Sequence, residues 1–278
     1  MKNIFSVDVE DYYQVEAFSQ VIDRRNWNDY ESRVENNTNV ILDLLDEHKV
    51  KGTFFVLGCV AKDRPSIVRN IAERGHEVAS HGMSHKMIYT QTPEEFRRET
   101  QESKKILEEI VQKNVNGYRA ATYSITNKSL WALDILVEEG FKYDSSIFPM
   151  RHDKYGIPDV QRDPHIIETK SGKIVEIPIA IYEKMGFKIP CAGGGYFRLW
   201  PYWLTRWCLT GINKTREFNF YVHPWEIDTA QPRVSGASIF SRFRHYNNID
   251  KCHNRLSKLL GDFSFSTAEE LLTSKKLV

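Results

Sequence analysis

The 278-residue sequence contains no paired-cysteine motif: Cys59, Cys191, Cys208 and Cys252 are scattered, with no CxxC among them. That excludes a zinc ribbon and a disulfide framework, and the four read as reduced thiols. An excess of charge is missing too. Thirty-eight Lys and Arg against 37 Asp and Glu leave a formal net charge of +1, too weak a field to gather nucleic acid. No run of about 18 apolar residues occurs, so no transmembrane segment is expected. The chain reaches Asp8 before an apolar export-signal core could form, which makes a cytoplasmic location the simplest expectation. Repeats and low-complexity linkers are absent as well. A hydrophobic share of 41% beside a charged share of 27% is enough for one large core, and one domain spanning 1–278 is expected.

Short β-type runs alternate with longer amphipathic ones, the pattern of a parallel sheet with crossover helices. Strands are predicted at 3–9, 52–57, 76–80, 116–120, 141–144, 174–179 and 219–223. These seven suit an α/β, single-domain (β/α) barrel. Residues 33–48 place Val34, Ile41, Leu44, Leu45 and His48 on one stripe, and 67–74 continue the pattern after Pro65, as outer helices do. Thr92-Pro93-Glu94-Glu95 and Thr267-Ala268-Glu269-Glu270 carry capping-box spacing and predict helix starts. Pro and Gly cluster in 148–168 and 191–197, the candidate active-site loops.

Chemistry-bearing residues gather at the predicted strand ends. The first strand runs into Asp8-Val9-Glu10-Asp11, carboxylates whose crowding is costly without a cation. Strand alternation puts Asp8 and Glu10 on one face. His81 and His85, directly after the third strand, have the i, i+4 spacing of metal ligands on a helical turn. Arg119 ends the fourth strand and could pair with a strand-end carboxylate; Asp144 ends the fifth and His223 the last. Each alone has a plain structural reading, as a solvated junction, a surface pair or a packed histidine. Together they fall where α/β barrels assemble active sites.

The order of these segments resembles the motifs of the polysaccharide deacetylase family (carbohydrate esterase family 4, NodB-like). Asp8-Val9-Glu10, Ser80-His81 to His85, the run Ala192-Gly193-Gly194-Gly195-Tyr196-Phe197-Arg198 and Val222-His223-Pro224 resemble more closely the subgroup associated with exopolysaccharide gene clusters. The resemblance implies a deformed NodB-like barrel that hydrolyses the acetamido group of an N-acetylated saccharide. It makes Asp8 the general base and His223 the general acid. Arg119 would orient Asp8, and Asp144 would orient His223. His81, His85 and one first-strand acid, Glu10 or Asp11 with Glu10 favoured, would hold a divalent metal, with Zn²⁺ the first choice. Backbone at Thr122 and Tyr123 would meet the substrate. Departures include Ala121 where many members have proline and Ser145-Ser146 in place of a tryptophan-containing segment.

Two other readings stand beside this one: an allantoinase-like amidohydrolase on a small amide, and a non-catalytic saccharide-binding homologue. The segment 196–207 holds three of the six tryptophans. Sugar stacking or peripheral membrane contact could use it, but Trp200, Trp203, Leu204 and Trp207 also fit one helix face, and ordinary packing on that face is the expectation.

Overall fold

The computed structural model describes residues 1–152 and 155–278. Among them eleven strands form: β1 (Asn3–Val9), β2 (Thr53–Val56), β3 (Glu77–Ser80), β4 (Gly117–Tyr118), β5 (Tyr143–Asp144), β6 (His165–Thr169), β7 (Gly172–Glu176), β8 (Ile181–Lys184), β9 (Phe187–Pro190), β10 (Asn219–Val222) and β11 (Phe265–Ser266). The main sheet runs β10-β1-β2-β3-β4-β5-β7-β6, with β11 beside β1. Every pair from β10 through β7 is parallel, so these seven strands aim their C-terminal ends the same way. They are the seven predicted from sequence. The last but one is displaced from 174–179 to Gly172–Glu176 by its antiparallel pairing with β6. That hairpin and the separate pair β8–β9 were not predicted.

The architecture is α/β with a mostly parallel central sheet. Among the described residues no ladder joins β7 to β10. The free edge of β10 is met instead by the chain at 192–193: Tyr221 N–H donates to the Ala192 carbonyl at 3.1 Å, and Gly193 forms an isolated parallel bridge with Tyr221. Gly193 sits at φ +128, and a Cβ there would lie 2.0 Å from the Tyr221 carbonyl oxygen, so the close approach requires glycine. Two residues of the expected loop 148–168, Asp153 and Lys154, lie outside the described residues.

All seven residues of β1 are buried, as a central parallel strand demands. Its period of two sorts them. Phe5, Val7 and Val9 join the large core beneath the helices, while Ile4 joins Phe55, Ala79, Tyr143 and Val175 on the inner face. Ala268, Leu271 and Leu272 of the helix Ala268–Ser274 close that inner cluster at the strands' N-terminal end. Above it lies a polar layer. Ser6 Oγ donates to the Phe220 carbonyl at 2.9 Å, Asn219 Nδ2 to Ser145 Oγ at 3.0 Å, and Ser145 Oγ to the Ile177 carbonyl at 2.8 Å. Asp8 and then Glu10 follow on the same face at the C-terminal mouth.

The expected helices form at Val34–Glu47, Pro65–Glu73, Pro93–Val111 and Ala268–Ser274. Thr92 and Glu95 make the full reciprocal box; at Thr267 the hydroxyl accepts from Glu270 N–H, while the Glu270 carboxylate pairs with Lys2. The expectation for the tryptophan segment is corrected. In the helix Tyr202–Ile212 the packed face is Thr205, Cys208, Leu209 and Ile212, whereas Trp203 is 69% and Trp207 49% exposed. Apolar residues occupy more than one face of this helix, so periodicity alone could not select the side that packs. Among the described residues no helix is long and apolar enough to cross a membrane.

Candidate active site

Asp8 is fixed by a buried arginine. Arg119, directly after β4, is fully buried and packs its guanidinium 4.0 Å from the Phe55 ring centroid. Nη1 donates to Asp8 Oδ1 at 2.5 Å, Nη2 to Ser145 Oγ at 3.1 Å and Nε to the Ser145 carbonyl at 3.2 Å. This leaves Asp8 Oδ2 toward the cavity, 3.9 Å from His223 Nε2. The expected Arg119–Asp8 pair is present.

Glu10, His81 and His85 offer ligand atoms within 4.8 Å of one another, all three residues being buried. Their neighbours prepare them for a cation. His81 Nδ1 lies 2.8 Å from the Arg119 carbonyl; donation to that acceptor leaves Nε2 with its lone pair available. Burial, together with the nearby His85, pushes the His81 imidazole down to about 4 against the pull of Asp8 and Glu10, which keeps it in the neutral, ligating form. Glu10 Oε2 lies 2.8 Å from His85 Nε2 without the alignment of a hydrogen bond, and it is a buried oxygen with no hydrogen-bond partner. Burial raises the Glu10 carboxyl, but the adjoining His85, with His223 and His81, brings it down to about 2. Trp225 Nε1 donates to the other oxygen at 3.2 Å. His85 sits at φ +53 in a loop held by Arg24, whose Nε and Nη2 donate to the Ser84 and His85 carbonyls at 3.1 and 2.9 Å. A buried carboxylate oxygen grouped with two buried imidazoles, all offering ligand atoms within 4.8 Å of one another, fits a divalent cation.

Asp11 has another occupation. Its carboxylate accepts from Ser32 Oγ at 2.7 Å and from the N–H groups of Arg33 and Val34 at 2.9 and 3.2 Å, where the helix Val34–Glu47 begins without a side-chain cap of its own. Asp11 caps that helix from the end of β1. Accordingly, Glu10→Gln is expected to lower metal affinity by at least about tenfold with the fold intact. Asp11→Asn is expected to keep the metal and lose about 1 kcal/mol of stability. Metal content after dialysis against a chelator, beside thermal melting, checks both; the reverse order would move the ligand role to Asp11.

His223 follows β10, and its ring stacks on Trp225 with centroids 5.2 Å apart. Nε2 faces the cavity, 3.6 Å from Glu10 Oε1. The far nitrogen corrects the expectation for Asp144. Nδ1 lies 2.7 Å from Glu226 Oε1, and Asp144 makes no contact with this histidine. Instead the Asp144 carboxylate accepts from Ser146 Oγ and faces Glu176, its partner across the β5–β7 register. Glu226 is itself bound by Arg198, whose Nε donates to Oε2 at 2.6 Å. Burial lowers His223, but the hydrogen bond to Glu226 and the charges of Glu10, Glu226 and Asp8 carry it up to about 9. Sequence reasoning missed Glu226 and Arg198. The available signal was Pro224 with a glutamate three residues after His223, the spacing that returns an N3 carboxylate to the N-cap residue.

Burial raises Asp144 to about 6 and Glu176 well above the usual carboxylate range, so the pair shares a proton. A carboxyl with a raised folded-state value favours the fold when protonated. Its contribution is full below about 4, the unfolded value, and is lost as pH rises through about 6. Asp144→Asn, whose amide can donate to Glu176, is therefore expected to gain stability relative to wild type between pH 4 and 7. Paired melting curves across that range check it, and a variant that loses stability relative to wild type as pH rises would contradict the shared proton.

Thr122 and Tyr123, both at positive φ, line the same cavity of about 170 Å³ as Asp8, Glu10, His81 and His223. The Tyr123 hydroxyl is buried without a hydrogen-bond partner. The cavity opens past Tyr155, Tyr221 and Trp225 into a groove of about 400 Å³, walled further by Tyr196, Phe240 and Phe243. Both proline- and glycine-rich segments thus reach the site, through Tyr155 and Tyr196.

Residues 26–141 match the family model for polysaccharide deacetylase, and the resemblance of the strand-end motifs agrees with it. Over residues 26–141 the chain carries a polysaccharide deacetylase family domain. Residues 145–273 match a second model, the domain of unknown function DUF3473. Among similar proteins, the chain is 33% identical over 109 residues to a chitooligosaccharide deacetylase of Rhizobium leguminosarum bv. trifolii, covering 35% of this chain and 51% of that one. It is 32% identical over 81 residues to the peptidoglycan-N-acetylmuramic acid deacetylase PdaA of Bacillus subtilis, covering 29% and 31%. The chain thus spans about half or less of these relatives' length. Its fold is shared with a Mycobacterium smegmatis protein carrying the name polysaccharide deacetylase, at TM-score 0.63 and 18% identity over 99% of this chain and 91% of that one. It is shared also with a family pseudoenzyme of Bacillus anthracis, at TM-score 0.51 and 13% identity over 98% and 66%.

Proposed function

We propose that the protein is a metal-dependent deacetylase that hydrolyses the N-acetyl group of an N-acetylated saccharide. The observation that carries this reading is the convergence on one cavity of an arginine-held carboxylate, a carboxylate-held imidazole and the Glu10–His81–His85 group. Amide hydrolysis needs an acceptor for a water proton and a donor for the departing amine. We assign those two roles to Asp8 and His223. The names of the similar deacetylases support the substrate class, and the motif set resembling the exopolysaccharide-associated subgroup favours a saccharide of exopolysaccharide assembly.

Asp8 Oδ2 is the free oxygen of its carboxylate and takes a proton from water as the water oxygen bonds to the acetyl carbon. Arg119 fixes Asp8 in direction. As the C–N bond breaks, His223 Nε2 gives its proton to the nitrogen, releasing a free amine and acetate. A divalent cation held by Glu10, His81 and His85, with zinc the best match to two imidazoles and a carboxylate, would supply Lewis-acid polarisation of the carbonyl and of the attacking water. The paired acid and base argue against a binding protein without turnover.

The test is acetate release from purified, zinc-supplemented protein across N-acetylglucosamine oligomers, nucleotide sugars and lipid-linked sugars, with free amine measured in parallel. Equal acetate and amine from at least one class supports the reading; stoichiometric metal without release from any of them overturns it.

A further inference from the structure

The family model matching residues 26–141 ends before the proposed general acid. His223, Glu226 and Arg198 all belong to 145–273, the part matched only by a domain without an assigned function. Arg198, at the end of the glycine-rich run, is 1% exposed and Glu226 is fully buried. Besides Glu226, Arg198 grips the C-terminal turn of the helix Ile239–Tyr246. Nη1 donates to the His245 and Asn247 carbonyls at 2.7 and 2.9 Å, and Nη2 to the Arg244 carbonyl at 3.1 Å, acceptors that a helix end leaves without intrahelical partners. Glu226 turns one oxygen to this guanidinium and the other to His223, accepting from its backbone N–H at 3.0 Å as well as facing its Nδ1. The intervening Trp225 is sandwiched, with the His223 ring on one side and the His245 ring 4.2 Å away at 12°.

We propose that Glu226, held by Arg198, is the positioning residue for His223, and that this is what residues 145–273 contribute to the reaction. The bond at Nδ1 selects the tautomer. With its proton on Nδ1 directed at Glu226, the imidazole presents Nε2 to the cavity as the atom that exchanges a proton with substrate. Asp144 does not do this: its Oδ1 accepts from Ser146 and its carboxylate faces Glu176, while Nδ1 of His223 meets Glu226. The helix Ile239–Tyr246, whose Phe240 and Phe243 wall the groove, is tied through Arg198 to the same histidine.

The inference rests on the deacetylase reading, so its test has one arm that needs no turnover. Glu226→Gln keeps the shape of the side chain but puts an amide N–H against one of two donors, Arg198 Nε or His223 Nδ1. In metal-loaded protein, kcat for acetate release is expected to fall roughly 10- to 100-fold, with KM within about threefold and metal content unchanged. Glu226→Asp, which retains the charge, is expected to recover part of the loss. In ¹⁵N-histidine NMR spectra the wild type is expected to show a downfield, slowly exchanging Nδ1 proton assigned to His223 by its absence from His223→Gln. That resonance is expected to vanish in Glu226→Gln. A retained resonance overturns the proposal, and so does unchanged kcat or a parallel fall of kcat, metal content and melting temperature. If the wild type releases no acetate from any saccharide, the functional reading fails, and the resonance alone decides the role of Glu226.

Discussion

Replacing Asp8 with asparagine is expected to lower acetate release by roughly 10²-fold or more while the protein keeps its metal. The amide retains the shape of the carboxylate and can still accept from Arg119 Nη1 through its oxygen. It has no basic oxygen left to receive the water proton. A second effect must be separated from the first, because Arg119 is fully buried and Asp8 is its carboxylate partner. Breaking a buried pair costs about 3–5 kcal/mol when a charge is stranded. Here the two bonds from Arg119 to Ser145 and the remaining amide oxygen keep the loss below that figure. Assays should therefore run well below the variant's melting temperature, with folding confirmed by circular dichroism. Near-normal turnover by folded, metal-replete Asp8→Asn would remove Asp8 from the reaction.

His223→Ala is expected to lose roughly 10²- to 10⁴-fold in turnover with little loss of metal. An amine cannot leave as an anion at neutral pH, and Nε2 of His223 is the donor that faces the cavity. The substitution also unstacks Trp225 and leaves Glu226 without the imidazole. Lower stability is thus expected too. Its pH dependence has a definite sign: a histidine raised from about 6.5 unfolded to about 9 folded contributes stability that is full below 6.5 and lost as pH rises through about 9. The stability gap between wild type and variant should close over that range. Activity, which needs the protonated acid, should fall on the alkaline side, and a cation beside Glu10 would draw that limb below 9. Acetate release against pH, measured beside melting temperature, separates rate from stability. An active but less stable His223→Ala would refute the acid assignment.

Much of the fold was legible because a central parallel strand reads as a short β-type run, as in residues 3–9 with Ile4, Phe5, Val7 and Val9, ended by residues the mouth of the sheet can use. The same alternation that puts Ile4 inside puts Asp8 and Glu10 there, which together with the family resemblance favoured Glu10 over Asp11. That Asp11 caps a distant helix start could not be read from its neighbours. The hairpin of β6 and β7 was hidden because β6 is only half-buried and lay in a stretch read as loop. The partner of His223 was misplaced for a different reason. Asp144 does end another strand of the sheet, but its carboxylate faces Glu176, a residue that sequence shows only as a charge at the end of a strand. Glu226 lies one helical turn from the histidine it holds, and a local capping pattern would have pointed to it.

The central claim, a hydrolase whose reaction depends on the cation held by Glu10, His81 and His85, is tested most directly by titrating metal back into chelator-treated protein while following acetate release. The expected result is negligible release at the start, a linear rise with added Zn²⁺, and a break at one equivalent per chain, with Glu10→Gln showing no such break. Full release from protein verified to be metal-free, or a break unaltered in Glu10→Gln, would contradict the account.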